Sequence, residues 1–168
     1  AYRFVTLERG DIKSVVSATG LLEPVTTVAV GTQVSGIIDE ILVDFNDSVE
    51  QGQVVARLDT TLLGIAVRES QANLDRMQAE YDKAKRGFDR FSTLADDGVA
   101  SESDLDATRD ALKVAKANLS ASQVNLERAQ QNLAYATITT PIAGVVVERN
   151  VDVGQTVAAS LQAPQLLL

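Results

Sequence analysis

The feature that most constrains this chain is a long middle segment in which apolar residues recur in alternating steps of three and four. One such series runs over residues 63–91 and a second over residues 105–133. A mean spacing of about 3.5 residues keeps one stripe of a helix facing a partner helix in a left-handed supercoil. Residues 25–140 contain no proline, so nothing there forces a helix to break. The pattern predicts two long helices, each with one apolar seam.

The first seam consists of Leu63, Val67, Ser70, Leu74, Met77, Tyr81, Ala84, Phe88 and Phe91, and the second of Leu105, Thr108, Leu112, Ala115, Leu119, Ser122, Leu126, Ala129 and Leu133. Between them, Gly98 is a residue at which a helix ends without steric cost. Ser101 is a good N-cap, with Asp104 three residues later. The loop is short, so the two helices must be antiparallel neighbours.

The two seams match each other when the chain is folded about this loop. Phe91 then meets Leu105, Leu74 faces Ser122, and Ser70 faces Leu126. Most layers pair a large side chain with a small one, as a core of uniform volume requires. This favours an intramolecular hairpin. Arms of roughly 50–55 Å are too long to be buried in a 17.9 kDa globule, so we expect the hairpin to project.

The segments on either side of the hairpin repeat each other. Residues 34–38 resemble residues 142–146, and residues 52–55 resemble residues 154–157. Both copies alternate apolar and polar residues, which predicts short strands and turns. Neither copy has enough apolar surface to close a core alone. We therefore expect one β-sandwich built from both halves, with the hairpin stems meeting near Asp59 and Ala136.

Composition excludes several classes of function. The chain contains no His and no Cys and has a formal net charge of −8, with a pI near 4.5. Zinc sites of imidazole or thiolate, disulfides and Ser-His-Asp triads are therefore ruled out. The acidic balance argues against nucleic-acid binding. We predict no catalytic residue, cofactor or metal site. Residues 1–20 do not read as a signal peptide, and no stretch reads as a membrane span, so we expect the membrane anchor to lie outside this chain.

Two glycine-containing half-motifs split by a helical hairpin resemble the periplasmic adaptors, or membrane fusion proteins, of tripartite efflux pumps. Residues 28–160 match that layout, and residues 154–164 are most similar to adaptors of the MacA type, which serve ABC transporters. The resemblance implies an α+β fold. In it, a long antiparallel α-helical coiled-coil hairpin is inserted between two halves of a lipoyl/biotinyl-like β-sandwich, together with part of a β-barrel domain.

The same resemblance divides the chain into five parts. These are a partial β-barrel segment (1–27), the first lipoyl half (28–59), the hairpin (60–135), the second lipoyl half (136–160) and the start of a return to the barrel (161–168). In the first part we expect a strand pair at most, from residues 2–7 and 11–20.

The hairpin turn carries the most specific motif. Arg90, Leu94 and Ser101 fit the family pattern RxxxLxxxxxxS without departure. The resemblance implies that these residues dock on the tip of a TolC-type outer-membrane channel. Each also has a purely structural interpretation: Ser101 as the N-cap, Leu94 as a cover for the hairpin end, and Arg90 as a solvated residue or a partner of Asp97.

The resemblance further implies a periplasmic protein attached to the inner membrane. Its partners would be an inner-membrane transporter, with the ABC type favoured, and further copies of itself, in a hexamer. Loops of the lipoyl parts would line the central channel, which makes Gln155 a candidate constriction residue; its alternative role is that of an ordinary turn residue.

Other functions stay open at this point. The chain could serve a type I protein secretion system or a proton-driven efflux system instead. A lipoyl or biotin carrier is a different class, but it needs a lysine at a β-turn, and none of the five lysines lies in a suitable turn. A purely structural coiled coil would explain the seams and leave the paired half-motifs without a role.

Overall fold

The computed structural model of the chain describes residues 2–6, 9–11, 13–20 and 26–159. Its elements follow in the order β1 (Gly36–Ile41), β2 (Ser48–Val49), β3 (Val54–Leu58), α1 (Thr61–Asp96), α2 (Glu102–Ala134), β4 (Thr137–Thr139), β5 (Gly144–Val145) and β6 (Thr156–Val157). Short strands thus flank a pair of long helices, as the sequence predicts.

Both sheets combine strands from the two halves of the strand region. The larger sheet has the strand order β4-β3-β1-β6, so its two inner strands come from before the hairpin and its two outer strands from after it. The smaller sheet pairs β2 with β5, again one strand from each half. All of these pairs are antiparallel. The second half therefore completes hydrogen bonding that the first half leaves open.

The core is also built from both halves. Its buried apolar side chains are Ile38, Val43, Val49, Val55, Ala56, Leu58, Ala136, Ile138, Val146, Val151 and Val157. The alternation along β1 shows why the strands form: Ile38 is buried, whereas Ile37 next to it is exposed. The prediction of one sandwich assembled from two separated pieces, with the hairpin inserted between them, is confirmed.

Two backbone hydrogen bonds and one bond from the backbone to a side chain close the chain where the hairpin leaves the sandwich. Leu58 N–H donates to the carbonyl of Ala136 at 2.9 Å, and Asp59 N–H donates to the carbonyl of Ile37 at 2.8 Å. Thr61 N–H, in the first turn of α1, donates to Asp59 Oδ1 at 2.8 Å. The stems therefore meet near Asp59 and Ala136, as expected from the sequence.

The helices contain 36 and 33 residues, which corresponds to lengths of about 54 and 50 Å. All nine predicted seam positions of α1 are partly buried, and in α2 the nine predicted seam positions are the residues that are not exposed. Across the seam, Asn73 Nδ2 donates to Ser122 Oγ at 3.2 Å, which places these residues at one level. Extensive packing joins α1 to α2 but joins neither helix to a strand. Within the described residues, neither helix is apolar enough to cross a membrane.

The sequence predicts a strand pair at most before residue 20, and the residues that the structure describes there contain no strand. Residues 2–6, 9–11 and 13–20 form no strand, and their side chains are exposed. A two-stranded ribbon is marginal in water unless a third strand or a helix covers one face. The exposure of these side chains shows that no such cover is present. Leu7, Ile12 and residues 161–168 lie outside the described residues.

Candidate functional site at the hairpin tip

The free end of α1 is closed by a complete Schellman turn. Gly98 has φ of +75°, a conformation that favours glycine because other residues place a Cβ against the following carbonyl. Val99 N–H donates to the carbonyl of Leu94 at 2.8 Å, and Gly98 N–H donates to the carbonyl of Ala95 at 2.9 Å. These are the two bonds that define the motif. The position of Gly98 at the end of the first helix, predicted from the sequence, is confirmed.

The start of α2 is capped by Ser101. Its Oγ accepts the Asp104 N–H at 3.2 Å and donates to Asp104 Oδ2 at 2.7 Å. The residue has extended backbone geometry, with φ −79° and ψ 151°, as an N-cap requires. The hydroxyl of Ser101 therefore makes two local bonds that hold the turn, and its role as an N-cap is confirmed.

Arg90 and Leu94 lie one helical turn apart on the same face of α1. Arg90 is exposed, and within the described part of the chain it forms no ion pair with Asp97. Leu94 is 36% exposed and Val99 is 75% exposed. The sequence analysis did not single out Val99 as part of the tip. It could have been found as an apolar residue between the helix-ending Gly98 and the N-cap Ser101. The tip therefore presents one cation and two apolar side chains.

Four carboxylates lie at the two helix ends that form the tip. Asp96 ends α1 and Asp97 is its C-cap, while Glu102 and Asp104 open α2. The two at the start of α2 are favourable there, because a helix N-terminus carries partial positive charge; the two at the end of α1 meet partial negative charge and gain nothing from the helix. Asp96 and Asp97 therefore do not stabilise α1 through the helix dipole, and their carboxylates are available to cationic side chains of a partner.

The opposite end of the molecule contains two matching turns, one in each half. Gln53 Oε1 accepts the Glu50 N–H at 2.9 Å, and Gln155 Oε1 accepts the Asp152 N–H at 3.0 Å. The glycine before each glutamine has positive φ, +81° at Gly52 and +84° at Gly154. The candidate constriction residue Gln155 thus makes the same turn-closing bond as its counterpart, and its side chain is exposed.

Arg149 connects this turn to the other half. Its Nη1 donates to Asp152 Oδ1 at 2.7 Å and to the carbonyl of Val151 at 2.6 Å, and its Nε donates to Asp44 Oδ1 at 3.2 Å. Asp44 lies in the half before the hairpin and Asp152 in the half after it. The pKa of Asp44 lies below its ordinary value because the Phe45 N–H and then Arg149 stabilise the carboxylate. The pKa of Arg149 is raised by the hydrogen bonds that it donates, chiefly to Asp152 and then to Asp44. Sequence reasoning missed this cluster, because it forms only when the halves meet.

The geometry offers recognition surfaces. Among the described residues, no group of carboxylates is arranged to hold a metal ion. The two turns read Glu-Gln-Gly-Gln and Asp-Val-Gly-Gln, so neither supplies the lysine to which a lipoyl or biotin group is attached. Four of the five lysines lie in the helices instead.

Comparison with known proteins identifies the family. The family model described as the barrel-sandwich hybrid domain of RND MFP, the membrane fusion proteins, matches residues 26–168. The chain belongs to the membrane fusion protein family. The macrolide export protein MacA of Yersinia pestis is 35% identical over 180 residues, which covers 99% of this chain and 48% of that protein. The pyoverdine export membrane fusion protein PvdR of Pseudomonas aeruginosa is 37% identical over 177 residues, covering 97% of this chain and 45% of that protein.

Solved structures agree with this assignment. MacA from Actinobacillus actinomycetemcomitans superposes with a TM-score of 0.61 at 29% identity, over 85% of this chain and 48% of that one. A putative efflux transporter from Bacteroides eggerthii gives a TM-score of 0.64 at 20% identity, over 83% of this chain and 39% of that one, and shares the fold. This membrane fusion protein chain spans about half the length of the curated relatives it matches.

The tip geometry of this membrane fusion protein predicts opposite effects for two glycine-to-alanine changes. No atom would obstruct a Cβ at Gly98 or Gly87, so backbone conformation alone decides. Gly98→Ala forces a left-handed residue to carry a side chain, and we expect a loss of about 1–2 kcal/mol in the free energy of unfolding. Gly87→Ala, within α1, should gain about 0.5–1 kcal/mol. Urea unfolding followed by circular dichroism measures the free energy of unfolding of both variants. A loss of stability in Gly87→Ala as well as in Gly98→Ala would show that backbone conformation is not the cause.

The Asp44–Arg149 contact predicts a pH-dependent stability. The pKa of Asp44 is lowered in the folded state from its ordinary 3.8. Its contribution is therefore present above that value and lost as the pH falls through the folded-state pKa. The stability difference between wild type and Asp44→Asn should be constant near neutrality and shrink in acid. Arg149→Gln should retain part of this pH dependence, since the Phe45 N–H remains. A wild-type-minus-Asp44→Asn difference that is flat with pH would show that the pair has no energetic role.

Proposed function

We propose that this membrane fusion protein chain is the hairpin-bearing part of a periplasmic adaptor that links an inner-membrane transporter to a TolC-type outer-membrane channel. The observation that carries the proposal is a helical hairpin about 50 Å long that packs on itself and ends in an exposed tip. Such an arm has no use in a compact enzyme, and it suits a protein that must span a gap. We propose a non-enzymatic role, in which the adaptor seals a conduit.

The tip chemistry supports docking on another protein. Leu94 and Val99 expose apolar surface beside Arg90, and arginine is one of the residue types enriched at binding hot spots. The guanidinium offers a forked set of donors to carboxylates or backbone carbonyls. Ser101 supports this surface by fixing the turn, since its hydroxyl already has two local bonds.

The relatives guide the choice of transporter. Their names state export of macrolides for MacA and of pyoverdine for PvdR. For this chain we propose efflux of a drug or toxin, with an ABC transporter as the favoured inner-membrane partner and attachment to the inner membrane on the periplasmic side. We further propose a hexamer, in which the hairpins form a tube, the lipoyl parts form a ring, and Gln155 faces the central channel.

Tip docking predicts that Arg90→Ala with Leu94→Ser lowers affinity for the channel protein by about tenfold or more, since arginine is a residue type enriched at hot spots and Leu94 supplies the apolar surface beside it. Helicity should be unchanged, because neither residue belongs to the seam. The measurement is channel binding by the purified adaptor, together with drug resistance of cells that lack their own adaptor.

The matched control is Arg128→Ala with Leu62→Ser. Arg128 is an exposed arginine in α2, and Leu62 is an exposed leucine at the base of α1; both lie toward the sandwich end of the hairpin. Ser101→Asn, which keeps a capping side chain, should also preserve docking. Full resistance in the Arg90→Ala/Leu94→Ser variant would disprove docking through the tip.

The constriction role of Gln155 has an internal control in Gln53. Gln155→Ala and Gln53→Ala each delete one equivalent turn bond, so both should cost a similar amount of stability, about 1 kcal/mol. Export rate in reconstituted vesicles should change for Gln155→Ala alone. Equal effects of both changes on export would show that Gln155 acts only as a turn residue and not as a constriction.

A further inference from the structure

Val99 is the apolar residue at the apex of the hairpin turn, directly after Gly98. Its N–H donates to the carbonyl of Leu94 at 2.8 Å, and the N–H of Ala100 donates to the same carbonyl at 3.1 Å. The backbone is therefore held on both sides of the Val99 Cα. A β-branched side chain also has restricted rotation about χ1. The direction of the Val99 side chain is thus set before any partner arrives.

The turn itself makes little use of this side chain. In a Schellman turn, the residue after the left-handed glycine commonly packs on the helical residue whose carbonyl it binds, here Leu94. Val99 nevertheless remains 75% exposed, and no large apolar side chain in residues 63–159 is more exposed. A partner that covers Val99 would remove apolar surface from water. The conformational cost would be small, because the backbone there is already ordered.

Ser101 fixes the other side of the same turn. Its hydroxyl donates its proton to Asp104 Oδ2 at 2.7 Å, and its Oγ accepts the Asp104 N–H at 3.2 Å. The hydroxyl therefore has no proton left to donate to a partner. Ser101 lies two residues after Val99, and its bonds hold the start of α2 in place. Its influence on docking is then exerted through the position of Val99.

The charges around Val99 indicate what kind of surface can receive it. Residues 90–104 contain a single cation, Arg90, and four carboxylates, which belong to Asp96, Asp97, Glu102 and Asp104. In the part of the chain that the structure describes, none of these five groups takes part in an ion pair. Opposite charges on a partner favour docking, and like charges oppose it. The tip is therefore complementary to a surface that is apolar at its centre and mainly cationic at its rim.

We infer that Val99 is an anchoring contact of the docked tip, seated in an apolar socket of the channel protein that is bordered by cationic side chains. Ser101 is a positioning residue that acts through Val99. This inference rests on the proposed docking of the tip on an outer-membrane channel, and it adds a further contact and the chemistry of the surface that receives it. The apolar anchor contributes affinity, and the carboxylates beside it contribute to the rate of association and the choice of partner.

Removing the apolar surface of Val99 tests the anchor. Val99→Ala deletes two methyl groups, and we expect it to weaken binding of the full adaptor to a purified TolC-type channel protein about tenfold. Val99→Thr keeps the branched shape but carries a hydroxyl, and it should weaken binding about fivefold. The matched control is Val114→Ala, at a valine of α2 that is 60% exposed, and it should leave the affinity unchanged. Circular dichroism should show equal helicity in all three. Wild-type affinity in both Val99 variants would overturn the inference.

A double-mutant cycle tests the positioning role of Ser101. Ser101→Ala removes the cap, and we expect it to weaken channel binding about threefold in the wild type and not at all in the Val99→Ala background. Ser101→Asn should restore binding, because asparagine keeps a capping acceptor but has no hydroxyl. Additive effects of the Ser101 and Val99 changes, or failure of Ser101→Asn to restore binding, would show that the Ser101 hydroxyl contacts the channel directly.

The cationic rim is tested by the rate of association. Asp96→Asn with Asp97→Asn should slow association with the channel protein about threefold at low salt and make the rate less dependent on salt concentration. Glu80→Gln with Glu127→Gln makes the same charge change at exposed positions on the shafts of the two helices, and it should have a smaller effect. Faster association of the Asp96→Asn/Asp97→Asn variant would show that the rim is not cationic.

The outcomes separate this inference from the proposed function. If Arg90→Ala/Leu94→Ser loses channel binding while Val99→Ala keeps it, docking through the tip stands and the anchoring role of Val99 is wrong. If none of the tip variants changes channel binding, docking through the tip is wrong, and the inference fails with it.

Discussion

The seam between α1 and α2 is the interaction on which the rest of this structure depends. Long helices in water gain most of their stability from packing an apolar stripe against a partner. Here each helix finds that partner in the other, and the sandwich contributes little beyond the stem. Because the hairpin stabilises itself, its tip can stand far from the core and still keep a defined shape.

The hairpin also has a role in closing the sandwich. The halves of the sandwich are far apart in sequence, so bringing them together would cost loop-closure entropy if the connection were flexible. The paired helices remove that cost, because they return the chain to its starting point. Leu58 and Ala136 are joined by a 2.9 Å backbone bond. The Arg149 contacts to Asp44 and Asp152 and the two Gly-Gln turns then fix one half against the other.

Features set by local pattern could be predicted from the sequence. The seam positions follow from periodicity, and the positions of Gly98 and Ser101 follow from the chemistry of helix ends. Pairing that depends on distant partners was harder to predict. Before residue 20 a strand pair at most was expected, and the sequence supplied no neighbour against which such a pair could pack. Arg149 had no signal at all, since its acceptor Asp44 is brought close only when the halves pair. At the tip, Val99 was missed because loop residues have no period.

The register of the seam fixes several surfaces at once. A slip of one residue would rotate a helix by about 100° relative to its partner. The seam, the tip residues Arg90 and Leu94, and the solvent-exposed side of the helix would then all be displaced together. An apolar seam alone tolerates such slips poorly but does not forbid a shift by a whole heptad. Ser122, buried in the seam at 5% exposure, accepts its hydrogen bond from Asn73, and a heptad shift would leave this buried hydroxyl without that donor. A polar residue in a coiled-coil core selects register at some expense of stability. The Asn73–Ser122 bond therefore links packing inside the hairpin to the alignment of every surface outside it.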